Sequence, residues 1–243
     1  MKYFIKSDDK RSQELSQLCQ LNHEVSNNFD INQYYDIAFL GIHGKEYQND
    51  SINPDTHIYT LIDNTHYHKY PNYYPLYKDF TLVQENTALT SEATIARMIM
   101  DNPKGLNHRR VLILGYGNCG KDLSKKLQNF GCEITISNRG NLHQRNIEKT
   151  KMKYCRLDDL SLNDYDYIIN TIPHHILTKD ILDTKKKDAI IYDIASFPYG
   201  TKKENQDDHY IILNSLPSKY AYQAAAKHLL LAIEKREEYY VKK

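Results

Sequence analysis

Apolar residues fall along this chain in short runs of two kinds: unbroken blocks of four or five, and sets spaced three or four apart. The block 111–114, Val-Leu-Ile-Leu, reads as a buried strand, and Leu123, Leu127 and Phe130 then place one apolar face on a helix over 121–130. Gly131 suits the C-cap of that helix, and a second strand over 133–137 follows, so the stretch predicts a compact βαβ unit. Further strands are predicted at 165–173, 188–195 and 210–213, with a weaker one at 153–157. Upstream, 1–5, 37–41 and 58–62 predict three strands of a small open α/β domain. Between them Asp8 or Asp9 caps a helix over 10–21 that turns Leu15 and Leu18 inward. Thr90 or Ser91 caps another helix, with Ile95, Met98 and Ile99 as its apolar face and Pro103 and Gly105 ending it. After Pro217, the spacing of Ala221, Ala225, His228, Leu229 and Ile233 predicts one helix over 220–240.

Between the 111–114 strand and its helix, Gly115-Tyr116-Gly117-Asn118-Cys119-Gly120 fits G-x-G-x-x-G. Strand, turn and helix is the order a dinucleotide fingerprint needs: Gly115 allows the tight turn, Gly117 lets a pyrophosphate approach the backbone, and Gly120 lets helix pack on strand. The phosphates would sit on the free N–H groups and positive end of the helix. At the end of the next strand an acid would hold a ribose 2′-hydroxyl, whereas this chain has Asn138 and Arg139, which favours NADP over NAD; an arginine meeting only solvent is the other reading. The expected fold is α/β with two domains, a Rossmann-like doubly wound parallel sheet and a smaller N-terminal α/β domain. The expected boundaries are 1–88 for the N-terminal domain, 89–105 for an interdomain helix, 106–216 for the NAD(P)-binding domain and 217–243 for a helix returning to the first domain.

Composition narrows the partners. Lys and Arg number 32 against 31 Asp and Glu, a formal net charge of +1, so nothing points to nucleic acid or an anionic membrane. A small molecule or another protein is expected instead. Cys19, Cys119, Cys132 and Cys155 are scattered with no Cys-x-x-Cys pair, which argues against a zinc site or a disulfide framework and for reduced thiols. No segment approaches membrane-spanning length and the N-terminal apolar run is too short for a signal peptide, so a soluble cytoplasmic protein is expected. The 21 tyrosines concentrate partly over 66–77, either as a grip at a cleft or as amphipathic rings in a polar surface loop.

Candidate chemistry collects at predicted strand ends. Thr171, Ile172 and Pro173 lie on the carboxyl edge where a nicotinamide would be held. His174 and His175 follow, as proton donors or as polar residues opening a helix toward Leu182. His43 occupies a similar edge in the first domain, as a ligand contact or a plain loop residue. Asn86, Thr87, Thr90 and Glu92, at the expected helix start, either bind a carboxylate substrate or serve as caps. Asp193, inside a predicted strand, is suited to orient a loop by accepting backbone hydrogen bonds.

Taken in order, Asn86-Thr87 with Thr90-Ser91-Glu92, the Gly115–Gly120 loop, Ile169-Asn-Thr-Ile-Pro173, Asp193-Ile-Ala-Ser196 with Pro198 and Gly200-Thr201, and Leu216-Pro217 resemble the dipicolinate synthase A-subunit family. The resemblance covers Asn86 to about Lys235. It implies an NADP-type oxidoreductase that dehydrogenates a dihydrodipicolinate, a cyclic dicarboxylate, together with a separate B-type partner, in an assembly expected also to be homo-oligomeric. A ring hydrogen would leave as hydride to NADP while a base takes a proton, with His174, His175 and Lys219 as candidates. Ala195 would join the cofactor wall and Ser196 the substrate wall; no metal is implied. The chain departs from the family at Leu89, Ala93, Phe197, Ser218 and Gln223, where the family has proline, glycine or basic residues. A dehydrogenase or imine reductase acting on another small carboxylate, and a non-catalytic NADP-binding regulatory protein, are the alternatives.

Overall fold

The computed structural model describes residues 1–47, 51–101, 103, 105–139 and 144–241. Two compact units emerge, one from Met1–Leu89 with Pro217–Lys243 and one from Thr90–Leu216. In the first, β1 (Lys2–Ile5), β2 (Glu24–Ser26), β3 (Ile37–Phe39), β4 (His57–Thr60) and β5 (Tyr73–Pro75) form a parallel sheet in the order β2-β1-β3-β4-β5. Helix α1 (Lys10–Gln20) starts with a capping box in which the Asp9 carboxylate accepts from the Ser12 N–H at 2.7 Å. Its Leu15 and Cys19 pack with Ala226, Leu229 and Ile233 of α7 (Tyr222–Val241) on the β1, β3 and β4 side chains Ile5, Phe39 and Tyr59. Leu18 is half-buried at the margin of that core.

The apolar pattern misses β2 and β5, because Glu24-Val25-Ser26 and Tyr73-Tyr74-Pro75 lack the apolar block that marks β3 and β11 at the same length. Pro75 also argues against a strand, yet β5 is an edge strand, where a missing N–H costs no ladder bond. The tyrosine-rich segment is not a polar surface loop. Tyr67 is fully buried with its hydroxyl on the Gly44 carbonyl, and Tyr73 donates or accepts at Thr60 Oγ1, 2.7 Å away. Phe4, Phe29, Tyr35 and Tyr47 form a neighbouring ring cluster with centroids 5.1 to 5.7 Å apart. With no tryptophan in the chain, tyrosines help fill this core with their polar ends satisfied, Tyr35 donating to the Asn28 carbonyl and Tyr59 to the Glu237 carboxylate.

The second unit holds β6 (Arg110–Leu114), β7 (Glu133–Asn138), β8 (Lys153–Arg156), β9 (Tyr167–Asn170), β10 (Ile190–Asp193) and β11 (Tyr210–Ile212), all parallel, in the order β11-β10-β9-β6-β7-β8. The order reverses between β6 and β9, and ligands of open α/β sheets settle at the carboxyl ends of the strands beside such a reversal. Helix α3 (Asn118–Asn129) buries Leu123 and Leu127 against β6 and β7, as its spacing requires. Phe130, expected on the same face, is the C-cap and 49% exposed, because it lies beyond the last full turn. Gly131 ends the helix at φ +79°, where an added Cβ would stand 2.2 Å from Asn107 Oδ1.

Helix α2 (Phe80–Asp101) corrects the expectation of a helix beginning at Thr90. Its start is held by Asp79, whose carboxylate accepts from the Leu82 N–H at 2.9 Å. Thr90 and Ser91 are buried within the helix, and the boundary between the two units falls just before Thr90. Hydroxyls that favour caps are spent on carbonyls of their own helix, Thr87 on Val83 at 2.7 Å and Thr94 on Thr90 at 2.8 Å, which removes their competition with helical structure. Short helices α4 (Gln144–Glu148) and α5 (Lys179–Leu182) complete the second unit, and α6 (Leu216–Tyr220) precedes α7, so the single C-terminal helix expected over 220–240 begins earlier and is broken at Ala221. Among the described residues, no helix is long and apolar enough to cross a membrane.

Candidate functional site

The carboxyl edge of the second sheet gathers most of the nominated residues through strand order. Four adjacent strands, β10, β9, β6 and β7, deliver Ala195, then Thr171 to Pro173, then the glycine loop, then Asn138 and Arg139. Gly115 leaves β6 at φ +99°, and a Cβ there would lie 2.4 Å from Thr171 Oγ1. Thr171 holds the turn by donating its hydroxyl to the Leu114 carbonyl at 2.8 Å. A Cβ on Gly120 would meet the Gly115 carbonyl oxygen at 2.2 Å, so α3 can approach β6 only without a side chain here. Gly117 is different: it is exposed, its φ is −78°, and nothing stands within 4 Å of an added Cβ. Two glycines are thus required by packing and the third keeps open space.

Gly117 is also the N-cap of α3, and no side-chain cap hydrogen bond forms there. A twelve-residue helix whose N-cap is a glycine with open space around it fits a phosphate group. Lys121, one turn in, lies 5.6 Å above the Tyr116 ring. Beyond β7, Asn138 is half-buried and its carbonyl accepts from the Tyr154 hydroxyl at 3.2 Å, while Arg139 is exposed and no acid occupies this strand end.

On the other side of β6 a buried polar cluster shapes the edge. Asn170 and Asp193, register partners on β9 and β10, are both fully buried. Asn170 Nδ2 donates to Asp193 Oδ1 at 2.9 Å and to the Ile172 carbonyl at 3.0 Å, while Asn170 Oδ1 accepts from the Ile172 N–H at 3.0 Å. Asp193 also accepts from the Ala195 N–H at 3.1 Å, the Gly200 N–H at 2.6 Å and the Tyr210 hydroxyl. Burial and the Asp193 carboxylate push the Tyr210 phenol well above its ordinary pKa. Asp193 therefore holds both ends of the segment 195–200, which contains a cis Phe197–Pro198 bond and Tyr199 at φ +68°. Asn170 stands in the sequence motif Ile169-Asn-Thr-Ile-Pro173 without a role of its own, and Tyr210 carries no local signal of its part in this cluster.

His174 and His175 lie exposed in the connection after β9, His175 with Nε2 3.1 Å from the Pro198 carbonyl oxygen. They do not open a helix: α5 starts later, capped by Thr178. Ser196 is exposed. Lys219 is exposed on α6, in the unit that also holds Asn86 and Thr87. Asn86, Thr87, Thr90 and Glu92 all sit inside α2, so the helix-terminus reading of these four is overturned, because no free N–H groups exist at mid-helix. Glu92 instead pairs with Lys126 of α3 at 3.3 Å. His43 is half-buried after β3, its carbonyl accepting from Asn64 Nδ2 at 2.7 Å.

The cysteines differ in the same way as their surroundings. Burial pushes the Cys132 thiol up to about 11 and, chiefly, the Cys19 thiol up to about 12, leaving almost no thiolate at pH 8. Cys119 is half-buried in the first turn of α3. Iodoacetamide at pH 8 is therefore expected to label Cys119 before Cys19 or Cys132, and NADPH to slow that labelling. Peptide mapping by mass spectrometry would contradict this if Cys132 were modified first.

Comparison with known proteins adds the chemistry. Residues 82–195 match the family model for the NAD binding domain of D-isomer specific 2-hydroxyacid dehydrogenases. The chain is 27% identical over 155 residues to the A-subunit of dipicolinate synthase from Bacillus subtilis, covering 62% of this chain and 52% of that protein. It is 28% identical over 127 residues to the shikimate biosynthesis protein AroDE of Chlamydia muridarum, covering 52% of this chain and 25% of that one. The matches thus span about half or less of these curated relatives. Among solved structures, the dipicolinate synthase A-subunit from Bacillus halodurans superimposes with a TM-score of 0.80 at 20% identity, over 96% of both chains. The resemblance drawn from the sequence and the Rossmann-like α/β fold are borne out. The match over 82–195 indicates a nicotinamide cofactor and supports the oxidoreductase class.

Proposed function

We propose that this chain, whose residues 82–195 match the NAD binding domain of the D-isomer specific 2-hydroxyacid dehydrogenases, is a cytoplasmic NADP-dependent oxidoreductase that dehydrogenates a dihydrodipicolinate-like cyclic dicarboxylate. The observation that carries it is the Gly115–Gly120 turn, closed by packing at its first and last glycines and open at Gly117, in front of the uncapped end of α3. The α3 N–H groups bind the pyrophosphate, Arg139 pairs with a 2′-phosphate, and Thr171 to Pro173 with Ala195 line the nicotinamide side. When bound, the nicotinamide supplies the hydride acceptor. The chain's part is to orient the ring edge and take the accompanying proton, for which His174, His175 and Lys219 are the candidate bases. Asn86, Thr87, Thr90, Glu92 and Ser196 are retained as candidate substrate contacts through their side chains alone. The name of the Bacillus relative marks it as one component of a multi-subunit enzyme, and the proposal extends to a second, B-type partner and a homo-oligomer here.

A second reading keeps the cofactor and changes the substrate to another small carboxylate. It is favoured by Phe197, which stands 82% exposed where the family carries a basic residue.

Titration with NADPH and NADH tests the cofactor assignment. NADPH is expected to bind more tightly, Gly117→Asp to abolish binding of both, and Arg139→Ala to bring NADPH down to the NADH affinity, a loss of roughly tenfold or more for one charged phosphate contact. Equal affinities in the unaltered chain would sink the NADP assignment, and no binding of either nucleotide would remove the oxidoreductase reading.

A further inference from the structure

In the first unit, Arg11 lies in the first turn of α1, directly after β1, with its side chain only 9% exposed. One Nη atom pairs with Asp9 at 3.2 Å, and Nε is buried without a hydrogen-bond partner. His228, on α7, has Nε2 3.8 Å from Glu85 and a buried Nδ1 that likewise lacks a partner. Both residues line one narrow cleft with Asn86 of α2, among Leu61, Leu82 and Leu89. A partly satisfied guanidinium and imidazole among leucines is a costly arrangement for stability alone, since buried N–H donors without acceptors keep their full desolvation penalty. Position points the same way. Arg11 follows β1 and Leu61 follows β4, so the cleft lies on the carboxyl edge of a parallel sheet whose strand order reverses between β1 and β3. Past Leu82 and His228 it adjoins a cavity of about 200 Å³ with Leu231 and Ala232 in its wall.

We propose that Arg11 and His228 form a carboxylate anchor: Arg11 Nε–H donates to one oxygen, His228 donates to the other from Nδ1 as that tautomer or as imidazolium, and the ligand's apolar body fills the adjoining cavity. The charges around it are Asp9, already engaged with Arg11, and Glu85, on the far nitrogen of His228, so neither carboxylate occupies the two unpartnered donors. The space beside Arg11 is too tight for a water molecule with the side chains as they stand, so entry requires His228 or Leu82 to turn. As a substrate anchor the site rests on the oxidoreductase reading and deepens it, supplying a cation for a carboxylate in a chain that carries Phe197 where the family has a basic residue. As a binding site it stands on its own geometry.

The test is a proton–nitrogen correlation spectrum of the full ¹⁵N-labelled chain, following the Arg11 Nε–H and the His228 ring during titration with pyridine-2,6-dicarboxylate, pyruvate and succinate. Pyridine-2,6-dicarboxamide serves as the uncharged control. At least one acid is expected to shift both signals saturably, with no response to the diamide. Arg11→Gln and His228→Gln should each weaken that acid by about tenfold or more while keeping a dispersed spectrum, with Arg11→Lys as the substitute if the glutamine variant unfolds. If none of the three acids moves the Arg11 signal, or if the Arg11 variant binds as tightly as the unaltered chain, the anchor is overturned. NADPH added to the same samples separates the two ideas. Nucleotide binding without a carboxylate response overturns the anchor alone, and a carboxylate response without nucleotide binding overturns the oxidoreductase reading alone.

Discussion

Gly120→Ala is expected to lose nucleotide binding and stability together, whereas Gly117→Ala loses only binding. The alanine Cβ at 120 would sit 2.2 Å from the Gly115 carbonyl oxygen and 3.6 Å from Ile113 Cγ2. That oxygen is backbone and belongs to a turn already fixed by Thr171, so relief requires α3 to move off β6. Overpacking of this kind costs about 3 kcal/mol. Since α3 contributes Leu123 and Leu127 to the core of the second unit, the loss should appear as a lower melting temperature and faster amide exchange in β6 and α3. At Gly117 the added methyl meets no protein atom, so the melting curve should stay put while NADPH affinity falls roughly tenfold to a hundredfold, because the methyl fills the approach of the phosphates to the α3 N–H groups. Equal melting temperatures for the two variants would show that the tight contact at 120 relaxes freely.

Asp193→Asn is the second large effect. The carboxylate accepts from four donors, Asn170 Nδ2, the Ala195 and Gly200 N–H groups and the Tyr210 hydroxyl, and is fully shielded from water. An amide of the same shape must turn an NH₂ toward at least one of those donors, which costs about 2–4 kcal/mol. Segment 195–200 should loosen first, reported by exchange of the Ala195 and Gly200 amides, and nicotinamide-side contacts should weaken with it. Tyr210→Phe, which removes one donor, should cost about 1–2 kcal/mol. It should also change the alkaline limb of stability. Burial and Asp193 raise the folded-state pKa of Tyr210 above the unfolded value of 10.0, so the folded chain keeps a proton that the unfolded chain releases. That contribution is fully present below pH 10 and declines as pH rises toward the folded pKa. The phenylalanine variant should therefore lose less stability than the unaltered protein between neutral pH and pH 11 in denaturant titrations. Parallel losses would mean that Tyr210 ionises as easily folded as unfolded.

The nucleotide side was legible in the residues because its signals are local. Gly115 and Gly120 are required by contacts within one turn and its neighbouring strand end, and the Leu123 and Leu127 spacing states a helix face without reference to the rest of the chain. The βαβ order, the missing acid before Arg139 and the buried Asp193 follow from the same short-range grammar of strand, turn and cap. The absence of an apolar block defeated that grammar in β2 and β5, and composition misdirected it at 66–77, where Tyr67 reads as polar surface until the sheet covers it. At Thr90 and Ser91 two good capping residues gave the wrong helix start, since Asp79 caps α2 upstream and the intervening hydroxyls turn back on their own helix.

By itself, then, the order of apolar blocks and glycines determined the α/β architecture and the phosphate-binding turn, because backbone sterics and side-chain period act over a few residues. Only the tertiary structure decided which polar groups end up together in the dark. Asn170, Asp193 and Tyr210 come from three strands, and Arg11, Asn86 and His228 from three helices, so their partners and burial are set by packing between elements far apart in the chain, which no local pattern encodes.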